Sequence, residues 1–419
     1  MGALRGFARF VVGFTFIFSG FVKIIDPAGT GLIVAEYLRL AGMIDVPLLA
    51  KFAGAILSVT ELVLGIYILL GLKMAVSSKV ALAFISLFTL LTLYLAIFNP
   101  IQDCGCFGEA LKLSNWQTFL KNLFLLALVL IIYFQRSSFI PIAPVAWEYS
   151  FAVFFLLFTL FLSVYSFRHL PMIDFTDYRV GRNLRELTGL QTNRSEPEFE
   201  TILIYKKGES IKEFAIDSLP DSTWIFVDSK TKIAGGITLP ANNLLSISDR
   251  QGNYVTDSLL FSGKRIFITT LPRITKSVRL KLQKSVKLRE ELLSRGYNHI
   301  YLTGASVQEA DSLMAALQVA DSSVYFADYK VVITMNRSLA GTIYVTDGII
   351  SAKWSRLDTP LEKLDEILSE DPDYLSARLR MKSRIATEFT VLGLIALIMI
   401  IRYLCRFVYK HKVKNENDI

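Results

Sequence analysis

Asn99–Lys121 reads NPIQDCGCFGEALKLSNWQTFLK and stands between two long apolar runs. A short polar stretch between two segments of spanning length is a loop at a membrane surface. It holds two of the three cysteines, Cys104 and Cys106, on either side of Gly105. Two residues of extended chain span ~7 Å, the upper limit of Cα separation for a disulfide. Glycine between them can take positive φ and fold the pair closer. The ring so closed is tiny and strained, and strained, exposed disulfides are oxidising and labile rather than structural. The rival reading is a pair of incidental loop thiols. Two thiols this close in so short a loop point instead to a redox or thiol-exchange site.

Outward from this loop, 53% of the 419 residues are hydrophobic, and they gather in blocks long enough to cross ~30 Å of hydrocarbon. Five spans are predicted at about 7–25, 50–70, 79–98, 118–134 and 147–167, and a sixth at about 387–405. The first run follows Arg5 and Arg9 without a small-residue cleavage pattern, so it reads as a membrane helix rather than a removed signal. Gly31–Leu40 has helical apolar spacing but is too short to span, which suits an interfacial or re-entrant helix. Ser114 and Gln117 form a capping box that starts the fourth span, and Pro141 and Pro144 break the chain after it.

Loop charges set the expected orientation. Arg5 and Arg9, Lys73 and Lys79, Arg136, and the final cluster Arg402, Arg406, Lys410, Lys412 and Lys414 fall on one side of a six-span topology. The positive-inside rule makes that side cytoplasmic. Arg378–Arg384 is basic on the other side, but long translocated domains are less subject to the rule. The Cys104/Cys106 loop and the polar segment 168–386 then face the periplasm across an inner membrane. The net charge of +8 is mostly this flanking charge, and no nucleic-acid-reading motif accompanies it. His169, His299 and His411 are too scattered for a metal site.

The polar segment divides by pattern. Residues 168–243 are β-rich, with short strands at Thr201–Tyr205, Ile211–Ala215 and Trp224–Asp228. Residues 244–370 become regular: strands at Leu244–Ser248, Arg265–Thr269, His299–Thr303 and Val324–Ala327, helices at Thr275–Arg295 and Val307–Val319, a hairpin about Asp347-Gly348, and a closing helix Pro360–Ser369. That order predicts a mixed sheet covered on both faces. The basic helix Thr275–Arg295 reads as a solvated face, with docking to an acidic partner or to headgroups as its rival. The chain thus reads as a membrane α-helical bundle (1–167), a β-rich segment (168–243), a soluble α/β domain (244–370), and a C-terminal membrane helix with a basic tail (371–419).

Two resemblances follow from these residues. Phe16–Gly29 (FIFSGFVKIIDPAG) and Glu61–Leu72 (ELVLGIYILLGL) resemble DoxX-family membrane proteins. Asp103–Gly108 (DCGCFG), with Leu113, Asn115 and Lys121-Asn122, is similar to the loop of the MauE family. Over roughly 1–135 this implies a small bundle of the type found in vitamin K epoxide reductase and DsbB, acting in thiol–disulfide exchange. MauE proteins are associated with disulfide formation in methylamine dehydrogenase, and DoxX relatives with quinone-coupled sulfur oxidation. Residues 244–370 resemble thioredoxin-like domains of the TlpA and peroxiredoxin type. Where their dithiol would follow the strand, this chain has Thr270-Leu271-Pro272-Arg273-Ile274-Thr275, and Ser338-Leu339-Ala340-Gly341 lacks the usual proline. The fold is expected without its chemistry.

Cys104 and Cys106 are the residues expected to be catalytic, accepting electrons from an external protein dithiol and passing them to a quinone. Asp103 and Glu109 beside them favour a resting disulfide, and with Cys106 replaced by serine a mixed disulfide is expected on Cys104. Glu61, deep in the second span, is a candidate proton relay, since an intramembrane carboxyl is a functional-site hypothesis by default. Its rival is a hydrogen-bonded carboxyl inside the bundle. Lys23 and Asp26 read as headgroup anchors, and Cys405 as a packing residue on the opposite side. No metal is expected. The alternative to a redox protein is a non-enzymatic anchor presenting a thioredoxin-like binding domain in the periplasm. A solute transporter is disfavoured by the scarcity of intramembrane charge.

Overall fold

The computed structural model describes residues 2–43, 46–101, 104–139, 145–188, 199–207, 210–215, 224–233, 245–274, 282–319 and 323–417. The chain divides into two units, residues 1–173 with 383–419, and residues 174–382.

The first unit is helical. Its helices are α1 (Gly2–Ile25), α2 (Pro27–Leu40), α3 (Pro47–Leu70), α4 (Met74–Phe98), α5 (Asn115–Phe134) and α6 (Val145–Arg168). Among the described residues, five segments are long and apolar enough to cross a membrane: Ala3–Ile25, Pro47–Leu70, Met74–Phe98, Asn115–Phe134 and Glu148–Arg168. The sixth expected span, 387–405, falls within the continuous helix Pro372–Asn417, and several of its side chains, that of Cys405 included, lie outside the described residues. Asp45, Asp103, Pro141 and Pro144 also lie outside them.

Small residues let α1 and α3 meet at backbone distance. A Cβ on Gly20 would lie 2.5 Å from the Leu62 nitrogen, and one on Gly65 would lie 2.5 Å from the Ile17 nitrogen. Such contacts are the usual means of helix association where water cannot drive it. One consequence is that residue 23 on α1 and residue 61 on α3 face each other. Val12, Phe16, Ile68, Ile85, Leu125 and Val129 form a buried core shared by α1, α3, α4 and α5. The short helix expected at Gly31–Leu40 begins earlier, at Pro27. Asp26 caps it by accepting from the Gly29 N–H, and proline sits in its first turn. The capping box of α5 is present, with the Ser114 hydroxyl accepting from the Gln117 N–H and the Gln117 side chain accepting from the Ser114 N–H.

The second unit holds two sheets. Strands β1 (Phe199–Lys207), β2 (Ser210–Ala215) and β3 (Ile225–Ile233) form an antiparallel sheet in the order β2-β1-β3. The larger sheet contains β4 (Arg265–Leu271), β5 (Asn298–Thr303), β6 (Val324–Phe326), β7 (Gly341–Thr346) and β8 (Ile349–Trp354) in the order β6-β5-β4-β7-β8. β4, β5 and β6 run parallel, whereas β4 with β7 and β7 with β8 run antiparallel. The central strand β4 is buried on both faces, which explains its near-continuous apolar run. Ile266 and Ile268 pack on one side with Val331, Val332 and Met335 of the helix Tyr329–Met335. Phe267 packs on the other with Leu288 and Leu292 of the helix Gln283–Ser294. The start of the predicted helix Thr275–Arg295, up to Lys281, lies outside the described residues.

The predicted strand Leu244–Ser248 is reduced to isolated bridges from Ser248 to Tyr254 and Phe326. The chain turns immediately after it, where the Asp249 carboxylate accepts from the Gln251 and Asn253 N–H groups. This side-chain turn competes with a longer ladder.

Candidate functional site

The cysteine loop is fastened from several helices. The Asn115 side chain donates to the Asn99 side chain and to the Ile101 carbonyl, each at 2.7 Å. The Tyr37 hydroxyl of α2 donates to the Cys104 carbonyl at 2.9 Å. The Ser19 hydroxyl of α1 donates to the Cys106 carbonyl at 2.6 Å. Phe107 packs on Phe18, ring centres 5.5 Å apart. Gly105 takes φ +67°, and a Cβ there would meet Ile33 Cδ1 of α2 at 2.4 Å. Two independent reasons therefore require glycine, the left-handed backbone and the close approach of α2.

The turn brings the two thiols together, with their sulfurs 3.0 Å apart. Their surroundings differ. Cys104 is buried, at 5% exposure, while Cys106 is half-buried and lines a small cavity. That cavity is walled by Ser19 and Lys23 of α1, Glu61 of α3, Phe84 and Phe88 of α4, and Lys121 and Asn122 of α5. It measures about 20 Å³ over the positions open to a water's centre. One water needs roughly 10–15 Å³ on that measure, so the cavity holds a water or two and no six-membered ring.

Across the cavity, Lys23 Nζ and Glu61 Oε2 form an ion pair at 2.6 Å, with side chains 7% and 9% exposed. Lys23 also donates to the Ser19 hydroxyl at 3.2 Å, completing a chain from the ammonium to the Cys106 carbonyl. Lys23 is thus no headgroup anchor: the close packing of α1 on α3 turns it inward to a buried partner. Asp26, paired with it in the sequence reading, is the cap of α2. Glu61, read from its depth alone, has a partner that its own segment did not reveal.

The two thiols are pushed apart in acidity. Cys106 is lowered to about 6, first by its hydrogen bond with Cys104, then by the positive charges of Lys121 and Lys23, against burial and the negative charge of Glu61. Cys104 is pushed well up by that same hydrogen bond and by burial. Of the two acidic neighbours invoked for the pair, Asp103 lies outside the described residues, and Glu109 pairs with Lys112 at 3.4 Å. The charges that count arrive from α1 and α5, which local reading of the loop could not supply. In such an arrangement the two sulfurs share a proton, with Cys106 the more acidic of the two.

Among the described residues no cluster of histidine, cysteine or carboxylate side chains could hold a metal ion. In the second unit, His299 of β5 is buried, with Nε2 2.9 Å from the Thr269 hydroxyl of β4. Burial and the nearby Arg289 charge lower it to about 3, so it is a neutral core residue rather than an acid–base group.

These features define a multi-pass helical membrane domain carrying a loop dithiol, joined to a unit of mixed sheets. Residues 1–135 match the family model of the methylamine utilisation protein MauE, so this part is a MauE-family domain. Residues 199–234 match that of a domain of unknown function, DUF8463, and cover the sheet β2-β1-β3. No curated protein and no solved structure matches the chain.

Proposed function

We propose that the protein is a membrane thiol–disulfide exchange protein whose working pair is Cys104 and Cys106. The observation that carries this reading is the paired geometry: two thiols 3.0 Å apart, one buried and the other half-buried on a cavity shared with Lys23, Glu61 and Lys121. The MauE-family match over the same residues supports it at the level of a membrane redox or accessory role. In the exchange, the Cys106 thiolate attacks one sulfur of a partner protein's disulfide. A mixed disulfide forms, and the partner's other sulfur leaves as a thiolate. Cys104 then gives up its proton and attacks Cys106, closing the intramolecular disulfide and releasing the partner as a dithiol. Run in reverse, the same steps oxidise a partner dithiol, and no further redox agent enters the balance.

Glu61 is retained as a candidate proton acceptor for Cys104, which must lose its proton in the second step. The cavity that joins Glu61 to Cys106 has no room for a quinone ring, so no step is assigned to a quinone. The charge pattern of the short loops supports a periplasmic position for the pair and for the polar unit, in an inner membrane. The strand order β5-β4-β7-β8, parallel then antiparallel, supports a thioredoxin-like reading of the larger sheet. It holds no cysteine and would bind or orient a partner rather than exchange disulfides with it.

The test is redox titration of the pair in the full-length protein, in glutathione buffers, counting blocked thiols by mass spectrometry. A single two-electron transition linking Cys104 and Cys106 is expected. Thiols that stay reduced, or that take up glutathione independently, would remove the reading and leave the anchor alternative.

A further inference from the structure

The cavity beside Cys106 contains more charge than a proton acceptor for Cys104 requires. Three helices contribute to it: α1 brings Lys23, α3 brings Glu61 and α5 brings Lys121. These residues are 38 and 60 positions or more apart in sequence, and each sits on an otherwise apolar segment where a charge is expensive to keep. The Lys23–Glu61 pair cancels internally, so its two members alone leave the cavity neutral. Lys121 adds a second cation and tips the balance to positive. Its ammonium lies 4.2 Å above the Phe107 ring, the residue immediately after Cys106. With the thiol ionised, two cations face two anions, and the site is neutral again.

We infer that Lys121 and Lys23 are positioning residues that hold the Cys106 thiolate by charge compensation, and that Glu61 is the opposing charge that keeps the thiolate from being over-stabilised. This rests on the thiol-exchange reading of the pair, but its mark is thiol acidity, which needs no partner. Each lysine is fixed by a contact independent of the sulfur. Lys23 is held by Glu61 and the Ser19 hydroxyl, which itself donates to the Cys106 carbonyl. Lys121 is held by the Phe107 ring. A change in either charge should therefore reach Cys106 without first dismantling the loop. Among the described residues, other titratable groups on the loop and α2 include Cys104 itself, Tyr37 of α2 hydrogen-bonded to the Cys104 carbonyl, and the Glu109–Lys112 pair at 3.4 Å farther along the loop. The cavity face of α4, Phe84, Ile85 and Phe88, carries no titratable group.

The experiment measures the rate of iodoacetamide alkylation at Cys106 against pH in the reduced, full-length protein in detergent. Fragmentation spectra distinguish Cys106 from Cys104 and Cys405. Lys121→Met keeps an apolar stem and removes only a charge, and should raise the alkylation midpoint by about one pH unit, ~10-fold less thiolate at a fixed pH below it. Lys121→Arg should restore it. Lys23→Met should move the midpoint the same way, and Glu61→Gln the opposite way. Loss of a partner can unfold a buried ion pair, so Lys23→Met is read only beside Lys23→Met/Glu61→Gln, which removes both charges together. If Lys23→Met does not fold, Lys121→Met and Glu61→Gln decide between them. A midpoint unmoved by Lys121→Met, or moved in one direction by both Lys121→Met and Glu61→Gln, overturns the inference. Either result leaves the titration of the disulfide itself untouched, so the two readings fail separately.

Discussion

The asymmetry of the two thiols has a consequence for the pH dependence of the redox potential. If both thiols of the reduced pair were protonated, reduction would take up two protons with two electrons, and the potential would fall by ~59 mV per pH unit. With Cys106 lowered to about 6 and Cys104 pushed up, the reduced form above pH 6 is one thiolate and one thiol. Reduction then takes up one proton with two electrons, and the slope halves to ~30 mV per pH unit. The same asymmetry fixes the direction of the potential. At pH 7 a thiol at about 6 is ionised where an ordinary thiol is not, which favours the reduced form by ~1.4 kcal/mol, or ~30 mV toward the oxidising end, if the disulfide gains nothing comparable. The assay is the glutathione titration repeated between pH 5 and 9, plotted as midpoint potential against pH. A break near pH 6 followed by the shallow slope is expected. A steep slope maintained to pH 8 would mean that Cys106 is an ordinary thiol and that the charged cavity does not act on it.

Three further outcomes follow from the packing. Gly105→Ala forces an L-residue into positive φ and drives a Cβ into Ile33; it should destabilise the protein by roughly 1–3 kcal/mol in a detergent thermal melt, and adding Ile33→Ala should recover part of this. No effect of Gly105→Ala would show that neither constraint matters. Gly65→Leu should prevent α1 and α3 from meeting and remove the Lys23–Glu61 pair with them; normal yield and an unchanged melt would refute the close contact. His299 has a folded value of about 3 against an ordinary 6.5. Its contribution is therefore complete above pH 6.5 and is lost as pH falls below it, by ~1.4 kcal/mol per unit. Hydrogen exchange of β5 peptides in the full chain should show ~2 kcal/mol lost between pH 6.5 and 5, and His299→Gln should flatten that slope. An equal slope in the variant would place the pH dependence elsewhere.

What could be read from the sequence depended on range. The first five spans are encoded in the apolar length of single helices, and the capping box at Ser114 and Gln117, the hairpin about Asp347-Gly348 and the strand Arg265–Thr269 in a dozen residues or fewer, and each of these stands in the structure near its expected bounds. The cysteine spacing was equally local. The cavity was not. Lys23 at the end of an apolar run has the same sequence signature as a snorkelling anchor, and only the glycine-mediated approach of α1 to α3 turns it toward Glu61. Lys121 was noted only as part of a family-like motif, since its relation to Cys106 depends on how α5 packs after the loop. The loop's own residues could not reveal that Lys23 and Lys121 share a cavity with Cys106. The strand at Leu244–Ser248 shrank to bridges for a related reason, as its side-chain turn at Asp249 cannot be weighed against a ladder without knowing the partner strand.

The central claim is that Cys106 meets the partner and Cys104 resolves the mixed disulfide. It is tested most directly by trapping in native membranes with Cys104→Ser and Cys106→Ser compared side by side. The half-buried, acidic Cys106 should hold a protein partner in a stable mixed disulfide when Cys104 is serine, and the buried Cys104 should hold none when Cys106 is serine. Trapping on Cys104 alone would reverse the assigned roles, and no mixed disulfide in either variant would contradict thiol exchange at this loop.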